Sequence, residues 1–299
     1  MLGAHPSAFL VDEPDGLYPW FEAFVRGDSN ASVLWSGLLQ EADIKYRREH
    51  RRLIETNTGS PPKLATCVTH LVLKAPNMLF RFDDFDVFDR PVHVVYPVRD
   101  PRAVVASMGK LKHIDMVGNQ VSLLEKQVVL AEEFDSDIER LQGSEAAHVK
   151  RAIVWRIKST MQERLREAGI SVTSFRYEDY VEAHQAFARH LAYATALDFD
   201  NALINHEAYY RGFGPGMTDR ARPVDRNSID AWSDRLSESE QADVQNETRA
   251  ARARLGYTKA RKAIPDPASA AGLEGVLASP IIFAGRGGSG PRLLSAYAD

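Results

Sequence analysis

Short apolar runs recur along the chain, separated by longer stretches with helical spacing. The runs at 7–12 (SAFLVD), 69–74 (THLVLK), 92–98 (VHVVYPV), 170–175 (ISVTSF) and 280–285 (PIIFAG) have the length and β-branched content of buried strands. The stretches at 101–110, 145–168 and 179–196 read as helices. Strand alternating with helix predicts an α/β fold, a mostly parallel sheet flanked by helices on both faces. The DPRAVVASM segment adds a boundary. Asp100 is placed to cap a helix and Pro101 falls at its first position, where a missing N–H costs nothing. Residues 258–279, rich in Ala, Pro, Gly and charge, read as a linker.

Composition narrows the class. At 299 residues, 44% hydrophobic and 26% charged, the chain is long enough for one large α/β domain with an ordinary core. A net charge of -4 argues against a nucleic-acid partner. Cys67 is the single cysteine, which excludes an internal disulfide and fits a reducing, cytoplasmic setting. No apolar run approaches the roughly 18 residues of a membrane span, and no signal peptide is visible, so a soluble protein is expected.

Two segments have anion-binding chemistry. In the first, Gly285, Arg286, Gly287, Gly288, Ser289 and Gly290 follow a strand and precede a helix start at Leu293–Leu294. Glycines allow successive N–H groups to turn toward an anion, and the following helix points its positive end the same way. The G-x-x-x-x-G spacing matches the start of a nucleotide-binding loop. Pro291 and Arg292 stand where a Mg-nucleotide site needs Lys and then Ser or Thr, so the usual Mg²⁺ ligand is missing and no metal is expected. A flexible Gly/Ser tail is the plainer alternative. In the second segment, Arg99 sits at the C-terminal edge of a strand, where open α/β sheets bind ligands, with Ser107 eight residues on. The two together can grip a phosphate; a surface Arg paired with Asp100 is the alternative. Two anion sites on one sheet suggest a nucleoside with phosphate at both ends.

The stretch from Arg99 through Pro101 to Ser107 resembles the 3′-phosphate motif of sulfotransferases that depend on 3′-phosphoadenosine 5′-phosphosulfate (PAPS). Other segments follow in the same family order between residues 2 and 257. LVLKAPNMLF resembles the Lys-x-Pro segment, FRYEDY the Tyr-Glu-Asp strand end, RNSIDAWSDRLSESE the C-terminal Arg…Ser-Ile…Trp…Leu pattern, and RLGY the end of the last helix. The resemblance implies a P-loop-like sulfotransferase fold, PAPS as donor, and a hydroxyl of a glycan or small metabolite as acceptor. Arg99 and Ser107 would bind the 3′-phosphate, with Arg226 adding to that site, and Tyr177 would lie near the adenine. Lys74 would reach the bridging oxygen of the phosphosulfate. Glu13, in a Glu-Pro pair after the first strand, would be the general base, with Asp12 the weaker choice; a strand-ending turn is the alternative for Glu13 and Pro14.

In that family the 5′-phosphosulfate loop comes first. Here the matching unit comes last, and joining Asp299 to Met1 gives a continuous sulfotransferase N-terminus. A circular permutation is therefore expected. Residues 1–257 form the domain body, 258–279 the linker, and 280–299 the displaced first strand, phosphate loop and helix start. A fragment of a tandem array is the rival account. Arg286, with Arg292 behind it, would be the loop's cation. Gly288 before Ser289 and Pro291 after Gly290 depart from the family pattern, which leaves a non-catalytic nucleotide-binding protein as the alternative function and a P-loop kinase as a weaker one. Acceptor recognition is expected in 18–50 and 109–143. The four tryptophans read as packing residues.

Overall fold

The computed structural model describes residues 1–46, 54–55, 63–87, 92–111, 114–210, 212–214 and 218–257. The expected linker at 258–279, strand at 280–285, loop at 285–290 and helix start, with Arg286 and Arg292, lie outside the described residues.

The chain passes through β1 (Ala8–Asp12), α1 (Leu17–Val25), α2 (Ala31–Tyr46), the two-residue strands β2 (Ile54–Glu55) and β3 (Lys63–Leu64), β4 (His70–Lys74) and β5 (His93–Val98). It continues through α3 (Pro101–Met108), α4 (Met116–Glu125), α5 (Val128–Glu133), α6 (Asp135–Gln142), α7 (Ala147–Glu167), β6 (Ser171–Arg176), α8 (Tyr177–Glu182) and α9 (His184–Ala194). The short strands β7 (Phe213–Gly214) and β8 (Thr218–Asp219) precede α10 (Asn227–Asp230), α11 (Glu238–Glu247) and α12 (Arg249–Arg254).

The four main strands pair in parallel, two by two. β1 lies beside β4, with Ala8 opposite His70 and Asp12 opposite Lys74. β5 lies beside β6, with His93 opposite Ser171 and Val98 opposite Arg176. The two short pairs, β2 with β3 and β7 with β8, are antiparallel. Among the described residues no ladder joins the β1–β4 pair to the β5–β6 pair. The expected α/β character with parallel strands is present, while a single extended sheet is not seen among these residues.

One apolar core nevertheless holds both pairs. It joins Phe9 and Val11 of β1, Leu71 and Leu73 of β4 and Val94 of β5 to Phe21, Leu34 and Leu38 of the first two helices and Ile153, Ile157 and Met161 of α7. Each such side chain gives roughly 1.5–3 kcal/mol on burial, so among the described residues packing is what binds the two pairs together.

Helix boundaries follow local chemistry. Asp100 caps α3 by accepting from the Arg102 N–H at 2.8 Å, with Pro101 in the first turn. A capping box of Ser237 and Glu240 opens α11. The helix expected over 179–196 divides at Ala183, whose φ of -122° and ψ of 42° interrupt it between α8 and α9. The weakly patterned stretch 109–143 folds as α4, α5 and α6, because Leu124, Leu130 and Leu141 are buried in the main core.

Candidate active site

The C-terminal ends of β1, β4 and β5 and the start of α8 open on one cavity of about 910 Å³. Asp12, Lys74, Arg99, Ser107 and Tyr177 all line it. Parallel strands deliver these residues to one edge, because each strand ends where its chain turns outward.

On one side of the cavity, Lys74 Nζ lies 3.0 Å from Asp12 Oδ1 and 2.9 Å from Glu13 Oε1. Asp12 also takes Arg220, brought in from the loop after β8. Burial disfavours the Lys74 charge, but Asp12 and Glu13 together outweigh it and hold the ammonium above its ordinary range. Glu13 adopts a positive φ of 45°, uncommon for a residue with a side chain, and its N–H bonds the Lys74 carbonyl at 2.8 Å. The turn that ends β1 thereby folds Glu13 onto Lys74. Asp12 lines the cavity, whereas Glu13 reaches Lys74 from outside the lining.

On the other side stands Arg99. Trp155 donates its indole N–H to the Arg99 carbonyl at 2.9 Å. The guanidinium lies over the Tyr177 ring, 4.8 Å from its centre, and Nη2 donates to the Ser228 carbonyl. Tyr177 Oη and Ser228 Oγ are 3.1 Å apart. Arg99 Nε is buried and has no hydrogen-bond partner among the described residues. Asp100 pairs with Arg102 rather than Arg99, at 2.7 Å, and its N–H is held by the buried carboxylate of Glu178 at 2.9 Å. Ser107, near the end of α3, turns an exposed face to the cavity.

Arg226 is exposed and lies outside the cavity lining, while Lys110, Arg220, Arg222 and Arg235 are part of it. These four cations were not singled out in the sequence; for Arg220 and Arg222 the run TDRARPVDR at 218–226 was the available signal. Trp232 lines the cavity, packs against the Val105–Val244 cluster and stacks on the Arg102 guanidinium at 3.8 Å. Trp35 and Trp155 are buried, as packing predicts. His70 is buried on β4 beside Thr69 Oγ1 at 2.7 Å, an ordinary strand position. Among the described residues no cluster of His, Cys, Asp and Glu could hold a metal ion, and no helix is long and apolar enough to cross a membrane.

No protein-family model and no curated relative matches the chain. Among solved structures, it is similar to the sulfotransferase domain from the curacin biosynthetic pathway, at 16% identity and a TM-score of 0.44, over 83% of this chain and 90% of that one.

Proposed function

We propose that this chain is a sulfotransferase that moves a sulfuryl group from PAPS to a hydroxyl of a glycan or small metabolite. The observation that carries this reading is the convergence of Arg99, Ser107, Tyr177 and Lys74 on one cavity at the ends of parallel strands. The site fits an anionic nucleotide. A buried, unpaired guanidinium N–H such as Arg99 Nε costs about 1–3 kcal/mol, which a phosphate oxygen would offset.

When bound, PAPS would supply the activated sulfuryl group. Arg99 and Ser107 hold the 3′-phosphate, and Arg226 adds charge from the rim. Tyr177, already pinned between Arg99 and Ser228, offers its ring to the adenine. Lys74 faces the phosphosulfate, and Asp12 and Glu13 keep it charged and aimed. Glu13 takes the proton of the acceptor hydroxyl. The glycines at 285, 287, 288 and 290, with Ser289, Arg286 and Arg292, serve the 5′ side. On this reading, residues 1–257 and 280–299 make one domain, circularly permuted and joined through 258–279, working in the cytoplasm without a metal.

Calorimetry with adenosine 3′,5′-bisphosphate and with ATP, both without Mg²⁺, is the test. The bisphosphate is expected to bind and ATP to bind weakly. Arg99→Ala should weaken bisphosphate binding by about 2 kcal/mol, roughly 30-fold, and Ser107→Ala by about 1 kcal/mol. Unchanged affinity in both variants removes the assignment. A mass gain of one sulfate on any member of an acceptor panel then establishes transfer; binding without transfer across a broad panel favours the non-catalytic alternative.

A further inference from the structure

Glu13 stands within electrostatic reach of a polar cluster that the nucleotide cavity does not include. Asn77, three residues past Lys74, is its centre. Lys158 Nζ, from the middle of α7, donates to Asn77 Oδ1 at 2.9 Å, and Gln120 Nε2, from α4, donates to the same oxygen at 3.3 Å. The Asn77 N–H holds the phenol oxygen of Tyr18 on α1. Tyr18, Asn77 and Lys158 keep part of their surface open, whereas Gln120 is 3% exposed. These contacts fix each amide. An ammonium only donates, so Asn77 must turn its oxygen to Lys158. Gln120 must then offer Asn77 its N–H, which leaves Gln120 Oε1 buried with no partner among the described residues. Lys158 has N–H groups to spare, because Asn77 is the one hydrogen-bond partner of its amine among the described residues. Burial pushes that amine down to about 8 against the pull of Glu13, while Lys74, paired directly with two carboxylates, is held up. Burial raises the Tyr18 phenol to about 12, so it keeps its proton and can donate it in a hydrogen bond.

We infer that Tyr18, Asn77, Gln120 and Lys158 form the acceptor subsite, and that it takes an uncharged vicinal diol, as in a polyol or a sugar ring. The inference rests on the sulfotransferase reading and names the acceptor class. In an in-line displacement the attacking oxygen approaches opposite the leaving oxygen. Lys74 lines the nucleotide cavity and Glu13 does not, so a hydroxyl that gives Glu13 its proton comes from outside that lining, where this cluster lies. Tyr18 and Gln120 also fall one in each of the segments 18–50 and 109–143 expected to recognise the acceptor. The hydrogen-bonding groups are of mixed sign. Lys158 and Tyr18 donate, whereas Glu13 and Gln120 Oε1 accept. One hydroxyl of a diol can donate to Glu13 and accept from Lys158, while its neighbour donates to Gln120. A carboxylate would satisfy Lys158 but face Glu13 and the Gln120 oxygen, and a lone hydroxyl would leave Gln120 unpaired.

The test needs neither donor nor transfer, so this inference and the donor reading fail separately. In the full chain with isotope-labelled glutamine, the Gln120 side-chain amide signal, assigned by its loss in Gln120→Leu, is followed by NMR. The probes are glycerol, methyl glucoside and myo-inositol, with cyclohexanol as the lone hydroxyl and glycolate as the anion. At least one polyol is expected to shift the signal saturably, binding about tenfold or more tightly than cyclohexanol and glycolate. Lys158→Met is expected to weaken that binding by about tenfold or more, and Lys158→Arg, which keeps a donor, by less. Affinity for adenosine 3′,5′-bisphosphate in Lys158→Met should stay unchanged by calorimetry. No saturable shift with any polyol, or an equal response to cyclohexanol or glycolate, overturns the diol subsite even where the bisphosphate binds. A loss of bisphosphate affinity in Lys158→Met assigns Lys158 to the donor and overturns it as well. Polyol binding in a protein that does not take the bisphosphate supports the subsite and removes the donor reading instead. Should Lys158→Met fail to fold, the comparison of probes on the unsubstituted chain decides.

Discussion

Trp155 donates its indole N–H to the backbone carbonyl of Arg99 across 2.9 Å, tying the middle of α7 to the turn that presents the cavity's principal cation. Trp155 is buried with Val98 and Ala251, so the bond is shielded from water. Trp155→Phe keeps most of the apolar contact and removes the donor. We expect about 1 kcal/mol of lost stability and a several-fold loss of bisphosphate affinity, because the Arg99 turn loosens. Thermal melting and calorimetry on the same variant check this. A lower melting temperature with unchanged affinity would make Trp155 a packing residue alone.

Glu178 holds the same turn through the next residue. Its carboxylate is 2% exposed and accepts from the Asp100 N–H and from the Tyr257 hydroxyl, each at 2.9 Å. Burial and this carboxylate together push the Tyr257 phenol well above its ordinary range. Glu178→Gln conserves shape but turns one acceptor into a donor facing a donor. A cost of about 2 kcal/mol is expected, lowering the melting temperature by roughly 4–8 °C. Addition of Tyr257→Phe should recover part of the loss by removing one of the two competing donors. Equal melting of Glu178→Gln and the unsubstituted protein would show that the turn does not depend on this carboxylate.

His93 gives the fold an acid-sensitive joint. Its ring lies between Thr173 Oγ1 at 2.8 Å and Ser171 Oγ at 3.1 Å, across the β5–β6 pair. Burial pushes its pKa down to about 4, below the ordinary 6.5. The unfolded chain therefore binds the proton more readily than the folded one, and stability falls as pH drops from about 6.5 toward 4. At about 1.4 kcal/mol per pH unit, the upper bound is near 3 kcal/mol. His206, pushed down to about 3 by burial, acts in the same direction. His93→Gln should narrow the difference between melting temperatures at pH 7 and pH 4.5. An unchanged difference would mean that His93 titrates normally.

Much of this was legible in the sequence, because the signals were local. The apolar runs around Phe9, Leu71, Val94 and Val172 became strands within one or two residues of their expected ends, and Asp100-Pro101 started a helix as capping chemistry requires. What was not legible depends on contacts far apart in the chain. Arg220 reaches Asp12 across 208 positions, and Trp155 meets Arg99 across 56. No local pattern says which arginine of 218–226 turns inward. Arg220 is anchored by the buried Asp12, whereas Arg226 stands exposed at the start of α10. The division at Ala183 was equally hidden, since that residue carries no breaker chemistry.

Asp12 and Glu13 are adjacent carboxylates on one lysine, and their surroundings assign them different work. Asp12 is 5% exposed and sits between Lys74 and Arg220, so it is chiefly a fixed counter-charge. Asp12→Asn should leave two cations poorly compensated and lower the melting temperature markedly. The Glu13 side chain is 31% exposed and pairs with Lys74 at 2.9 Å from a turn at the strand end. Glu13→Gln should therefore have little effect on melting or on bisphosphate affinity. On the general-base reading it should slow transfer by about 10²–10⁴-fold. Single-turnover transfer to any acceptor found in the panel, run beside calorimetry on both variants, separates the roles. Wild-type transfer by Glu13→Gln would place the base elsewhere, and a stable, inactive Asp12→Asn would move the role to Asp12.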